Sequence, residues 1–339
     1  MIDRLEPQMH LTELRRLRAR RTPSLKNPSR EAAYTIGLTQ AEALWVAADG
    51  TDPLADPILR YYALAQGAQA LAASSPLPNE AWQPGHSHGL KCKVPNTAAR
   101  LDFSEVLISP NGHGLAQVLA AALGSKMIPK DTKLSDLIGN LWHNVYSCEE
   151  PIRDSMPRRP LHVWPGVRDD QGRLRVDIVG DLWTANNCNM LDLERFLYGY
   201  PGLRGCPLTE VDYRGHDEGE AFVWLTMGSN STFNDPQTWL DNCDVGPDPR
   251  WLERIDGTGQ SIGTLTFLPG FNGDESTIHP LLSWFLVLYG FSMLARYHGR
   301  EWRARLDLDH DTASVDLRNL VGTRSADAMS LFARAIDSF

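Results

Sequence analysis

The chain has 339 residues, with 33 Lys and Arg against 42 Asp and Glu, a formal net charge of −9. That balance excludes a broad basic surface of the kind that coats DNA or RNA. With 42% hydrophobic and 22% charged residues and ten Trp, the composition excludes a disordered or fibrous chain and leaves material for a sizeable core.

Taken from the N-terminus, residues 1–150 read as helical. Asn27-Pro28-Ser29 supplies a cap and a proline at the first helical position, after which Tyr34, Leu38, Ala41, Trp45 and Ala48 recur on one face. Asp56-Pro57 offers a second start of the same kind, and in Ile58–Ala73 the residues Tyr61, Leu64, Ala65, Ala68 and Leu71 line one side among many Ala and Gly, which permits close helix approach. Two further helices are expected, one over Leu115–Leu123 stopped by Gly124, the other over Leu134–Val145 entered through Asp131-Thr132.

Over 151–275 the texture changes to Pro, Gly, Trp and short alternating runs. Leu161–Trp164 and Leu174–Val179 read as the strands of a hairpin, and Ala221–Thr226 and Thr264–Leu268 as further strands, with one helix near Leu191–Tyr198. Over 276–339 helices return, through the apolar run Leu281–Ala295, an alternating stretch Arg303–Asp311 read as a strand, and a last helix over Ser325–Asp337. The predicted class is α+β: one lobed body, a helical bundle built from both ends of the chain around a β-rich middle. The apolar run has 15 residues, short of the roughly 20 that cross a membrane, and is expected to be a buried helix. Five cysteines, an odd number without dense spacing, and an Arg-rich start with no apolar run after it point to a cytoplasmic protein.

Three segments together resemble the YaaC-like family of bacterial proteins. They are Tyr34 with Gln40-Ala41 and Leu59-Arg60-Tyr61-Tyr62-Ala63-Leu64, then His88-Gly89-Leu90, then Ser292-Met293-Leu294-Ala295-Arg296-Tyr297 with Trp302. This resemblance implies a helical core that serves binding or assembly with a protein partner or a second copy. The Tyr- and Ala-rich helix is also similar to the core helix of HEPN domains, which implies the alternative of a metal-independent RNase effector in a defence or toxin setting, with RNA as partner. Nuclease members pair Arg with His four to six residues on, and Arg305 and His310 have that spacing. In a strand, however, those two side chains point to opposite faces, and Asp307, Asp309 and Asp311 share the face of Arg305, where they repel a phosphate.

The remaining constellations each have a structural reading beside the chemical one. Arg296, Tyr297, His298 and Trp302 would form an anion pocket that holds a phosphate or stacks on a base, or else Arg296 closes a helix C-terminus while Tyr297 and Trp302 seal the core. His86-Ser87-His88 with Cys92 has the form of a metal chelate, against a loop in which His88-Gly89 turns tightly and caps the next element. No metal or other cofactor is expected. Cys148 with His143, the acidic runs 216–220 and 241–244, and Gly257–Gly263 read as a buried thiol, turns and a strand approach, the last lacking the dinucleotide spacing. Arg15–Arg21 reads as a solvated helix face. Whether the chain is an enzyme stays open on the residues alone.

Overall fold

In a computed structural model of the chain, residues 6–20, 22–83, 87–95, 101–141, 161–168, 174–178, 200, 208–212, 221–225, 253–255, 261–263, 265–267, 270, 278–308 and 313–339 are described. The chain divides into two compact units, one made of 1–138 with 279–339, the other of 139–278.

The first unit opens with α1 (Glu6–Leu17) and α2 (Pro28–Ala48), the latter capped by the Asn27 side chain, which accepts from Ser29 N. The stripe Tyr34, Leu38, Ala41, Trp45 and Ala48 is buried as its spacing predicts. It packs on α3 (Asp56–Ser74), and the approach is close: a Cβ on Gly37 would lie 2.7 Å from the Gln66 carbonyl oxygen. Ala55, not Asp56, is the cap of α3. Asp56 instead sits inside the first turn and pairs with Arg60, four residues on, at 2.6 Å. At the far end, the carbonyls that the helix leaves unpaired are taken by Thr22 (to Ser74 O, 3.0 Å) and by the buried Arg30 guanidinium (to Ala73 O, 3.2 Å, and Ser75 O, 3.1 Å). Three arginines of the Arg-rich start are paired within the fold, Arg15 and Arg18 with Glu42 and Arg20 with Asp337.

Residues 90–133 depart from the all-helical expectation. They form a three-stranded antiparallel sheet of β1 (Leu90–Lys93), β2 (Leu107–Pro110) and β3 (Thr132–Lys133), with Cys92 opposite Ile108 and Ile108 opposite Thr132. Inserted in it, α4 (Leu115–Ala122) ends at Gly124 with φ 62°, the stop read from the sequence. Thr132 enters β3 and not a helix, and α5 (Leu134–Gly139) follows at once.

The second unit holds a five-stranded antiparallel sheet ordered β10-β4-β5-β7-β6, from β4 (Leu161–Arg168), β5 (Leu174–Ile178), β6 (Leu208–Asp212), β7 (Ala221–Leu225) and β10 (Leu265–Phe267). The expected hairpin is present, with Val163 opposite Val176 and a register shift between Trp164 and Arg168, where Pro165 has no N–H for the ladder. A separate pair joins β8 (Glu253–Ile255) to β9 (Ser261–Gly263). The helix expected near 191–198 lies outside the described residues.

The chain then returns to the first unit as α6 (Pro280–Tyr297), which packs on α3 and α4 and is buried along nearly its whole length from Pro280 to Leu294. That burial accounts for the apolar run, and among the described residues no helix is long and apolar enough to cross a membrane. Next come α7 (Gly299–Arg305), α8 (Ala313–Asn319), a π-helical turn at Leu320–Arg324 and α9 (Ala326–Asp337), which closes on α1 and α3. The strand expected over Arg303–Asp311 is corrected here: Arg303–Arg305 belong to a helix and Leu306–Leu308 to the turn after it. The reason is the burial of Trp302 and Leu306, four apart, which sets a helical period over the local alternation.

Candidate functional site

Three distant segments of the first unit meet at one aromatic cluster, and the hinge of the arrangement is the turn that holds His88. Gly89 adopts φ 72°, and the carbonyls of Ser87 and His88 cap the N-terminus of α4 by accepting from Leu115 N and Ala116 N, both at 3.1 Å. Gln117 locks the turn: its amide donates to Gly89 O (2.8 Å) while its oxygen accepts from Gly114 N (2.9 Å). Neither glycine tolerates a side chain, since a Cβ on Gly89 would lie 1.8 Å from Gln117 Oε1 and one on Gly114 would lie 2.4 Å from Gly89 N.

So held, the half-buried His88 ring meets Tyr61 and Tyr62 of α3 and Tyr289 of α6, at centroid distances of 5.4, 6.3 and 6.1 Å. Tyr61 has no exposed surface, and its hydroxyl lies 2.7 Å from His88 Nδ1. That is the hydroxyl's one hydrogen bond among the described residues, and a buried O–H left without an acceptor is costly, so Tyr61 donates and the neutral imidazole carries its proton on Nε2. Both groups are held in the neutral forms that this pairing requires. Burial pushes the Tyr61 hydroxyl far above its ordinary range, and burial followed by the Arg296 charge holds His88 below its own. Tyr289 donates to Leu90 O at 3.1 Å, and burial pushes its hydroxyl up to about 12.

Arg296, in the last turn of α6, is half-buried beside this group. Its Nη1 donates to Tyr62 OH (3.1 Å), its Nε to Ser292 O (3.2 Å) and its Nη2 to the Met293 sulfur (3.1 Å), and Cζ lies 5.7 Å from the Tyr62 ring centre and 5.2 Å from that of Tyr297. A guanidinium has five N–H donors, so two stay uncommitted, one on each Nη. Among the described residues no carboxylate lies within ion-pair distance of Arg296, whereas Arg15, Arg18, Arg20 and Arg60 all have one.

A protein-family model described as YaaC-like Protein matches residues 10–323. The chain belongs to the YaaC-like family. No curated protein and no solved structure matches it. Within this YaaC-like chain, the cluster draws Tyr61 and Tyr62, His88, and Arg296 and Tyr297 from the three segments that carry the family resemblance.

Of the candidates read from the sequence, His88, Arg296 and Tyr297 are thus brought together. Tyr297 does not seal the core, being 66% exposed. Trp302 does: it is fully buried, its ring 5.3 Å from that of Phe291, and it is remote in role from the His88 group. Arg305 lies with Cζ 4.9 Å over the Phe103 ring, and its carbonyl accepts from Ser314 Oγ at 2.9 Å. His310, with His86, His143 and Cys148 of the other readings, lies outside the described residues. Cys92 is half-buried and its thiol is pushed up to about 11 by burial, and no group of three metal-binding side chains occurs among the described residues. Sequence reasoning placed Tyr61 in the core stripe, gave Tyr62 no part in a site, and missed Tyr289 and Gln117. Their partners are 27 to 234 positions away, so no local spacing announces them.

Proposed function

We propose that the protein is a binding component, and that its helical unit holds an anionic ligand at Arg296. The observation that carries this reading is a half-buried guanidinium with two free N–H groups and no described carboxylate, in a chain of net charge −9 where Arg15, Arg18, Arg20 and Arg60 are each paired with a carboxylate. Arg30 is the instructive contrast, because its donors are consumed by backbone carbonyls and the Asn79 side chain. Among the described residues Arg305 covers the Phe103 ring, which does not favour the RNase alternative or the defence setting that came with it.

Thermal unfolding of the full chain in rising inorganic phosphate tests the reading. At a concentration about 100 times Kd, a ligand of the folded state adds about 2.7 kcal/mol, roughly 5–10 °C for a domain of this size. Wild type should show the shift and Arg296→Gln should not, with both equally folded by circular dichroism. An equal response of the two chains refutes the reading. Cleavage of end-labelled RNA that Arg305→Ala and His310→Ala both abolish would replace it with the nuclease.

A further inference from the structure

We infer that the site formed by Tyr62, His88, Arg296 and Tyr297 takes a nucleoside monophosphate group, with the phosphate on the free N–H groups of Arg296 and His88 and the base on the Tyr297 ring. This deepens the anion-binding reading and rests on it. The donor set comes first. Arg296 offers one uncommitted N–H on each Nη, which is the fork that matches two oxygens of a phosphate. His88 adds a third donor, because the Tyr61 hydroxyl occupies Nδ1 and leaves the proton on Nε2 of a half-buried ring. The turn that carries His88 is fixed by Gln117 and by two glycines that admit no side chain, so this donor is held in place before any ligand arrives.

The second half of the ligand is read from Tyr297. It is the most exposed of the large apolar side chains among the described residues, at 66%, yet it sits in the turn of α6 beside Arg296 with the guanidinium carbon 5.2 Å from its ring centre. An aromatic ring left in solvent next to an uncompensated cation is a stacking platform beside a phosphate site. A ligand anchored on the guanidinium therefore has a planar surface within reach, and a base fills it where a bare phosphate or carboxylate would not. Tyr62 completes the frame from α3, fixing Arg296 through its hydroxyl at 3.1 Å. The other charged clusters of the unit do not offer this combination: Arg60, under 5% exposed, is neutralised by Asp49 and Asp56 and lies over Trp45, and Arg30 gives its donors to the end of α3 and lies over Trp82.

The test is calorimetric titration of the full chain with AMP, ribose 5-phosphate, adenosine, inorganic phosphate and a 5′-phosphorylated oligoribonucleotide. AMP should bind more tightly than ribose 5-phosphate or adenosine. Tyr297→Ala should weaken AMP roughly 5- to 150-fold while leaving ribose 5-phosphate unchanged, and Tyr297→Phe should restore it, as expected for loss and return of one stacked base. Arg296→Gln should remove AMP and phosphate together. AMP that binds no better than ribose 5-phosphate, or that ignores Tyr297→Ala, overturns the nucleotide inference and leaves the anion site standing. Failure of AMP and phosphate alike overturns both. Tighter binding of the oligonucleotide than of AMP places the group at an RNA 5′ end, and the reverse order identifies the free nucleotide.

Discussion

Tyr61 is where a single hydroxyl sets the chemistry of a neighbouring residue. Burial, followed by the Arg296 charge, holds His88 below its ordinary value, and donation to Nδ1 requires the neutral ring as well, so removing the donor should let His88 gain a proton more readily. In Tyr61→Phe the midpoint of His88, followed by NMR, is expected to rise, while urea unfolding shows a loss of about 1 kcal/mol for the missing hydrogen bond. A midpoint that falls instead would mean that the imidazole, not the tyrosine, is the donor. At this scale the sequence revealed adjacent pairs and little more. Arg296 and Tyr297 stand side by side and could be singled out together, but the partner that positions the guanidinium, Tyr62, lies 234 positions away and needs the packing of α3 on α6 to become visible. Even for Tyr297 the side-chain type misled, because an aromatic residue at a helix end is as compatible with solvent as with a core.

Between residues and the whole unit, the turn over Ser87–Gly89 and the start of α4 act as one element. Gly89→Ala must adopt a left-handed backbone and displace Gln117 Oε1 from 1.8 Å, so a loss of about 2 kcal/mol or more in urea unfolding is expected. Gln117→Ala removes two hydrogen bonds without backbone strain and should cost about 1–2 kcal/mol. If the two variants unfold like wild type, the turn is not what holds His88. Long helices were legible here because capping and period agree: Asn27-Pro28 with the Tyr34 stripe for α2, and the stop at Gly124 for α4. The sheet of β1, β2 and β3 was not, since strands of four, four and two residues are too short for alternation to register and owe their existence to pairing with one another. The opposite error occurred after α6, where the alternating stretch from Arg303 concealed the end of a helix fixed by the buried pair Trp302 and Leu306.

At the scale of the whole molecule, acid stability depends on two buried groups of the first unit that titrate in opposite senses. His279 caps α6, its Nδ1 accepting from Leu281 N at 3.1 Å and its backbone N–H donating to Ser125 Oγ at 2.9 Å, and burial holds the imidazole down to about 3. As pH falls through the ordinary value of about 6.5 the unfolded chain takes up this proton and the folded chain does not until near 3, so acid favours unfolding by up to about 1.4 kcal/mol per pH unit across that window. Asp56 works the other way. Burial outweighs the Arg60 pair and pushes its carboxyl up to about 6, so the folded chain binds that proton first; its contribution is complete below about 3.8 and is lost as pH rises through 6. Between those values the two terms oppose each other, and the His279 term can be isolated by substitution. His279→Asn keeps a side-chain oxygen for Leu281 N but has no proton to gain. Wild type should be the more stable chain at pH 7 in urea unfolding, and its advantage should shrink steadily from pH 6.5 toward pH 4, by up to about 1.4 kcal/mol per unit. A stability difference that stays constant over that range would show that His279 titrates in the folded chain as it does in the unfolded one, and that its imidazole is not sealed under α6.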